Sequence, residues 1–412
     1  MSIPAGPYAA LKISDFRLFI SARFSVTLAI QIQAVVVAWQ VYEITKDPLS
    51  LGLIGLAEAV PSIGVALYAG HVADSVQRKK IIITCVATLL FCSAALLSFT
   101  LEPVKILYMF GVAPIYSVIF LSGIARGFLS PAIFSYMPQL VPREIYSNAV
   151  TWNSTLWETA TIAGPALGGF LYGFFGLTAA YSADALLMLA GLLLAIGIAS
   201  KPLPEKSDEQ GVIEKIRMGL RFVFKNKIIL SAISLDLFAV LFGGAVALLP
   251  IFAAEILMVG KEGLGVLRSA PSIGALLMAF YITHHPIMRN TGKIMLGAVA
   301  AFGLCMIGFA LSTNFWLSLV LLIMSGMFDC ISVIIRQTLL QTLTPENMKG
   351  RVSAVNHIFV GSSNEIGMFE SGVAARLFGV VPSVIFGGCM TIVAVTVTGW
   401  ISKSIRQLQR VH

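Results

Sequence analysis

KPLPEKSDEQGVIEKIRMGLRFVFKNK, residues 201–227, is the longest polar interval in this 412-residue chain. It holds Lys201, Lys206, Lys215, Arg217, Arg221, Lys225 and Lys227, seven of the chain's 28 lysines and arginines. Pro202 and Pro204 break any helix that precedes it. Ile213, Ile216, Leu220, Phe222 and Phe224 then alternate with basic residues. That pattern suits a short amphipathic helix on an anionic membrane surface; a solvated linker is the plainer alternative. Either way the interval divides two hydrophobic halves of similar length. The organisation expected is an N-terminal bundle over 1–200, a linker over 201–228 and a C-terminal bundle over 229–412.

The composition decides the class. Hydrophobic residues make up 57% of the chain and charged residues 12%, with a mean hydropathy of +0.89. A soluble domain carries about 25% charged residues, so these polar groups could not cover a soluble surface. The apolar runs are long and do not alternate, unlike outer-membrane strands of about 10 residues. An all-α integral membrane protein follows. The net charge of +8 would also fit a nucleic-acid partner, but the basic residues sit between apolar runs, where membrane orientation explains them. Residues 1–14 lack the apolar core of a cleavable signal peptide.

A span needs about 20 apolar residues, and twelve candidates fall near 16–42, 49–72, 80–100, 106–138, 145–176, 178–199, 229–257, 264–284, 293–312, 315–343, 349–379 and 382–402. With a cytoplasmic N-terminus, the inner segments hold Lys12, Arg17, Arg78, Lys79, Lys80, Arg143, the linker cluster, Arg289, Lys293, Lys349, Arg351, Lys403, Arg406 and Arg410. The outer loops hold Lys46, Lys105 and Lys261. The positive-inside rule therefore places both termini in the cytoplasm of a cell whose inner membrane holds the chain.

The two halves repeat. PSIG occurs at 61–64 and at 271–274. A shift of 203 residues aligns Ser122-Gly123 with Ser325-Gly326, Asn153 with Asn356, Gly164 with Gly367, Gly169 with Gly372 and Phe175-Gly176 with Phe378-Gly379. Two parallel six-span repeats form a pseudo-twofold pair of bundles, the architecture of a transporter that rocks around a midplane site.

Three motifs carry a resemblance. GHVADSVQRKK at 70–80 makes a tight charged turn between spans 2 and 3. Its Gly70, Asp74, Arg78 and Lys79 resemble the signature loop of the major facilitator superfamily. Gln77 and Ser75 stand where many members have glycine and arginine. The resemblance implies a cytoplasmic gate in which Asp74 meets the start of span 11, here Lys349-Gly350-Arg351. AGPALGGFLYGFFG at 163–176 resembles the glycine-proline motif of exporters in that superfamily, and implies a hinge at Gly164, Pro165, Gly168 and Gly169. Small residues there also permit plain close packing of helices. DCISVIIRQTLLQTLTPENMKGRVSAVNHIFVGSSNEIGMFESG at 329–372 is similar to the drug/proton antiporter branch that contains the enterobactin exporter.

Ionisable groups in mid-span cost about 2.5–3.5 kcal/mol on insertion scales and so face a cavity or a partner. Glu158 and Asp329 lie mid-span and are the candidates for proton coupling. Asp184, Glu255 and Glu370 lie nearer span ends, where solvent can reach them. Arg23, Arg126, Asp236, Asp329 and Arg336 are the candidate charges of a central cavity. The repeat sets Arg126 opposite Asp329 and Arg23 opposite Asp236, so each pair is expected to offset its own cost. Gln31, Gln33, Trp157, Phe238 and Asn356 are candidates to contact a cargo, with Gln40 in the same span as the first two.

Other chemistries find no pattern here. The five cysteines and His284, His285 and His357 lack metal-ligand spacing, and no phosphate-binding loop or nucleophile–base arrangement occurs. No enzyme activity and no cofactor or metal is expected. The expectation is a monomeric, proton-coupled secondary transporter that exports a siderophore or an amphipathic drug-like molecule, with membrane lipids and protons as its other partners and no nucleic acid. Nutrient uptake by symport and a metal-ion carrier are the alternatives.

Overall fold

Long apolar runs leave the backbone one way to satisfy its polar groups in hydrocarbon, the α-helix. The computed structural model describes residues 6, 8–101, 107, 109–202, 212–243, 245–285, 290–345, 348–406 and 408, and among them it is helical with no strand. Ten helices are long and apolar enough to cross a membrane. One of these, Asn148–Gly197, runs for 50 residues and supplies two spans. It breaks at Gly176, whose φ of 83° suits a residue without a side chain. Lys349–Phe378, 30 residues, is long enough but carries Lys349, Arg351, Glu365, Glu370 and Arg376. Counting it as span 11 gives twelve, in an all-helical membrane protein.

The chain divides into two compact units, one of Met1–Thr45 with Ala57–Glu209, the other of Lys46–Leu56 with Gln210–His412. Spans 1 to 4 are Ser14–Thr45, Pro48–Ser75, Arg78–Leu101 and Ala113–Tyr136, all in the first unit except the start of span 2, up to Leu56, which belongs to the second. Spans 5 and 6 occupy the two arms of Tyr146–Gly197. Phe16, Phe19, Tyr136 and Met188 are buried at the core of the first unit. One end is stitched by polar bonds. Asp15 accepts from the Ala199 amide at 3.1 Å and from Lys201 Nζ at 2.8 Å, and the Tyr136 hydroxyl donates to the Ala199 carbonyl at 2.8 Å.

In the second unit, span 7 starts as Lys227–Gly243 and continues through short 3-10 and π turns to Ile256. Spans 8, 9, 10 and 12 are Gly260–His284, Thr291–Leu311, Phe315–Leu343 and Val380–Ile401. Asn314 caps span 10, its side chain accepting from the amides of Trp316 and Leu317 at 2.9 and 3.1 Å. Here Gly52, in the segment 46–56, meets Gly372 of span 11. A Cβ on Gly52 would stand 3.1 Å from the Gly372 Cα, so neither position has room for a side chain.

The linker helix is Val212–Lys225. Its apolar face departs from the expectation of a helix laid on lipid. Val223 is buried and Leu220 and Phe222 pack with it against Ile229, Ile233, Leu340, Val352 and Val355 of spans 7, 10 and 11. Protein contacts therefore cover the stripe at Leu220, Phe222 and Val223, and Phe224 is left exposed; the side chains of Ile213 and Ile216 lie outside the described residues.

The repeat has a physical basis. In the first unit a Cβ on Gly123 would stand 2.6 Å from the Glu58 carbonyl and 2.8 Å from Pro61 Cγ. In the second, a Cβ on Gly326 would collide with the Pro271 carbonyl. The SG and PSIG motifs thus pack on each other in both halves, where span 2 crosses span 4 and where span 8 crosses span 10. The repeated residues are those that let two helices touch backbone to backbone.

Candidate transport site

The crossing at Gly123 brings Glu58 and Arg126 together. They form an ion pair within the first unit, with side-chain exposures of 19% and 36%. Arg23 of span 1 donates from Nη1 to the Asn153 Oδ1 of span 5. Within the first unit Arg126 has Glu58 and Arg23 has Asn153 as partners.

Asp236 of span 7 pairs instead with Arg336 of span 10, their side chains 4% and 3% exposed. Arg336 lies seven residues after Asp329, two turns along one helix face. Asp329 sits within electrostatic range of both Arg336 and Asp236. Asp329 is thus a second carboxyl near the buried Asp236–Arg336 pair. Arg268 of span 8 lies within electrostatic range of Glu365 of span 11.

Glu158 is half-buried on span 5. It belongs to a polar stripe with Thr155 and Thr159, whose hydroxyls donate to carbonyls one turn back at 2.9 and 2.8 Å. Trp157 and Phe238 are exposed, Gln31 is half-buried, and Asn356 is buried with its Oδ1 unpartnered. Gln33 points into the bundle, donating to Asp184 Oδ2 at 3.3 Å. Gln40 is also buried and accepts from the Tyr181 hydroxyl at 2.5 Å.

The structure corrects the reading of Asp184 as a solvated span end: it is 0% exposed. Span 6 carries it inward between spans 1 and 3, and its place one turn after the buried Tyr181 is the signal that marks it. Glu255 is exposed and Glu370 half-buried.

The signature turn is partly described. The side chains of Gly70 and Asp74, and those of Lys349, Gly350, Arg351 and His357, lie outside the described residues. Arg78 donates to the Ser135 carbonyl at 3.0 Å and Lys79 to the Ile196 carbonyl at 2.8 Å. Each cation thus caps the last turn of a helix, spans 4 and 6, where carbonyls lack partners and the dipole is negative. In the glycine-proline motif, a Cβ on Gly164 would collide with the Gln31 side chain, and one on Gly168 would stand 3.1 Å from the Ile32 backbone. Both face span 1 in their own unit, with Pro165 and Gly169 buried beside them.

Comparison with known proteins decides the family. The major facilitator family described as transmembrane secretion effectors matches residues 5–409. The chain belongs to that family. This major facilitator transporter is 27% identical over 354 residues to the enterobactin exporter EntS of Salmonella typhi, covering 82% of this chain and 80% of that one. It is also similar to solved structures. A POT family transporter in complex with a thioalcohol-conjugated peptide matches with a TM-score of 0.74 at 12% identity, over 95% of this chain and 96% of the other. A D-xylose–proton symporter matches with a TM-score of 0.71 at 13% identity, over 93% and 96%. These two establish the fold. The transporter is a multi-pass membrane protein that takes small-molecule substrates, and it is not an enzyme.

Proposed function

We propose that this transporter exports a siderophore or an amphipathic drug-like molecule in exchange for protons, by alternating access, from the bacterial cytoplasmic membrane with both termini inside. The observation that carries proton coupling is the Asp236–Arg336–Asp329 cluster. One guanidinium balances one carboxylate, so the second carboxyl is the group free to take and release a proton as its surroundings change. Asp329 fills that role because Asp236 is held in the sealed pair. Glu158, on the polar stripe of span 5, is the corresponding group of the first unit. Arg23, hydrogen-bonded to the neutral Asn153, adds positive potential to that unit, which suits a cargo with acidic or phenolic oxygens. The similarity to the enterobactin exporter supports the same cargo class.

The test is D329N in proteoliposomes. It should retain exchange of cargo across the membrane at equal concentrations while losing accumulation driven by a pH gradient. Undiminished accumulation by D329N would remove Asp329 from coupling and leave Glu158 to be tested in the same way.

A further inference from the structure

The first unit holds a second buried acid that the cluster above does not use. Asp184 is 0% exposed. Its Oδ2 accepts from Gln33 at 3.3 Å, and its Oδ1 has no hydrogen-bond partner. The Ser93 hydroxyl of span 3, 0% exposed, adjoins the carboxyl and is, among the described residues, the one neighbouring group placed to hydrogen-bond it besides Gln33. The titratable groups facing Asp184 are Cys92 on span 3 and Tyr181 on its own span. No cation among the described residues pairs with it. An ionised carboxylate so placed would lose its hydration and gain no counter-charge, whereas a protonated one needs only hydrogen bonds.

Other polar groups line the same side of the first unit, with the Tyr181 hydroxyl donating to Gln40 Oε1 at 2.5 Å. Tyr181, one turn before it, is buried, and Tyr172 lies within electrostatic range of Tyr181. The Tyr172 hydroxyl donates to Glu43 Oε2 at 2.6 Å. Glu43 also accepts from Trp39 Nε1 at 2.7 Å and is exposed near the end of span 1. Gln33, Gln40 and Glu43 fall at offsets of seven and ten, on one face of that helix. An apolar core needs none of these groups.

We propose that Asp184 is a proton-binding site of the first unit, the proton residing on a carboxyl oxygen that no cation among the described residues balances. This deepens the proton-exchange reading and rests on it for its role in transport.

Infrared difference spectroscopy on the purified full-length transporter tests the site directly. The wild type should show the C=O stretch of a protonated carboxyl that fades as pH is raised. D184N should lack that band and D184E should shift it, which guards against loss of the band through misfolding. A band that ignores pH, or one that D184N and D184E leave unmoved, would overturn the proposal. If the band behaves as expected but wild-type transport is indifferent to a pH gradient, the site stands and the proton-exchange reading falls.

Discussion

The Asp236–Arg336 pair gives the sharpest test of the second unit. Both side chains are under 5% exposed. R336A would leave the Asp236 carboxylate in a sealed interior, with Asp329 as a second acid in range. Removing one partner of a buried pair costs about 3–5 kcal/mol. That is a fall of roughly two to nearly four orders of magnitude in the folded-to-unfolded ratio. Replacing both partners with apolar residues of similar volume is close to neutral, so D236L/R336M should recover most of the stability while transport is lost. Equilibrium unfolding in mixed micelles, read by helical circular dichroism, gives the numbers. Alkylation of the buried Cys85, Cys92 and Cys305 reports the same transition independently. An R336A midpoint equal to wild type, or a double variant as unstable as R336A, would refute the reasoning.

The Glu58–Arg126 pair is more open, so water screens it. E58Q should destabilise much less than D236N in the same unfolding assay. At the helix crossings, G326V must displace the Pro271 carbonyl and should abolish folded expression, whereas G297A, with nothing within 4 Å of its Cβ position, should be neutral; detergent-solubilised yield on size exclusion separates the two. R78A and K79A each remove a cation from a helix C-terminus and should each cost about 0.3–1 kcal/mol, measured as above. V223D should loosen the linker helix and raise proteolysis of the linker, while F224S, at an exposed position, should not.

Much of this was legible in the sequence. Span number follows from hydrocarbon length, and the two-bundle plan follows from the repeat and the central polar interval. Gly123, Gly326 and the two PSIG motifs marked the crossings because close helix packing requires small residues at a fixed spacing. The partners of the charges were not legible. Spans 4, 6 and 7 are apolar almost all round, so no periodic stripe reveals which way Arg126, Asp184 or Asp236 turns. Pairing then depends on helix rotation, which only the packed structure shows. Gln33 and Gln40 illustrate this: amides in a span need partners, but Asp184 and Tyr181, more than a hundred residues away, supply them.

The measurement that bears most directly on the central claim is transport in inside-out membrane vesicles with an imposed pH gradient, using a labelled catecholate siderophore. The account predicts accumulation inside the vesicles when their lumen is acidic. It also predicts that accumulation collapses when a protonophore is added and is absent from vesicles carrying D329N. Uptake of the siderophore that is equal with and without the gradient, or equal in vesicles lacking the transporter, would contradict it.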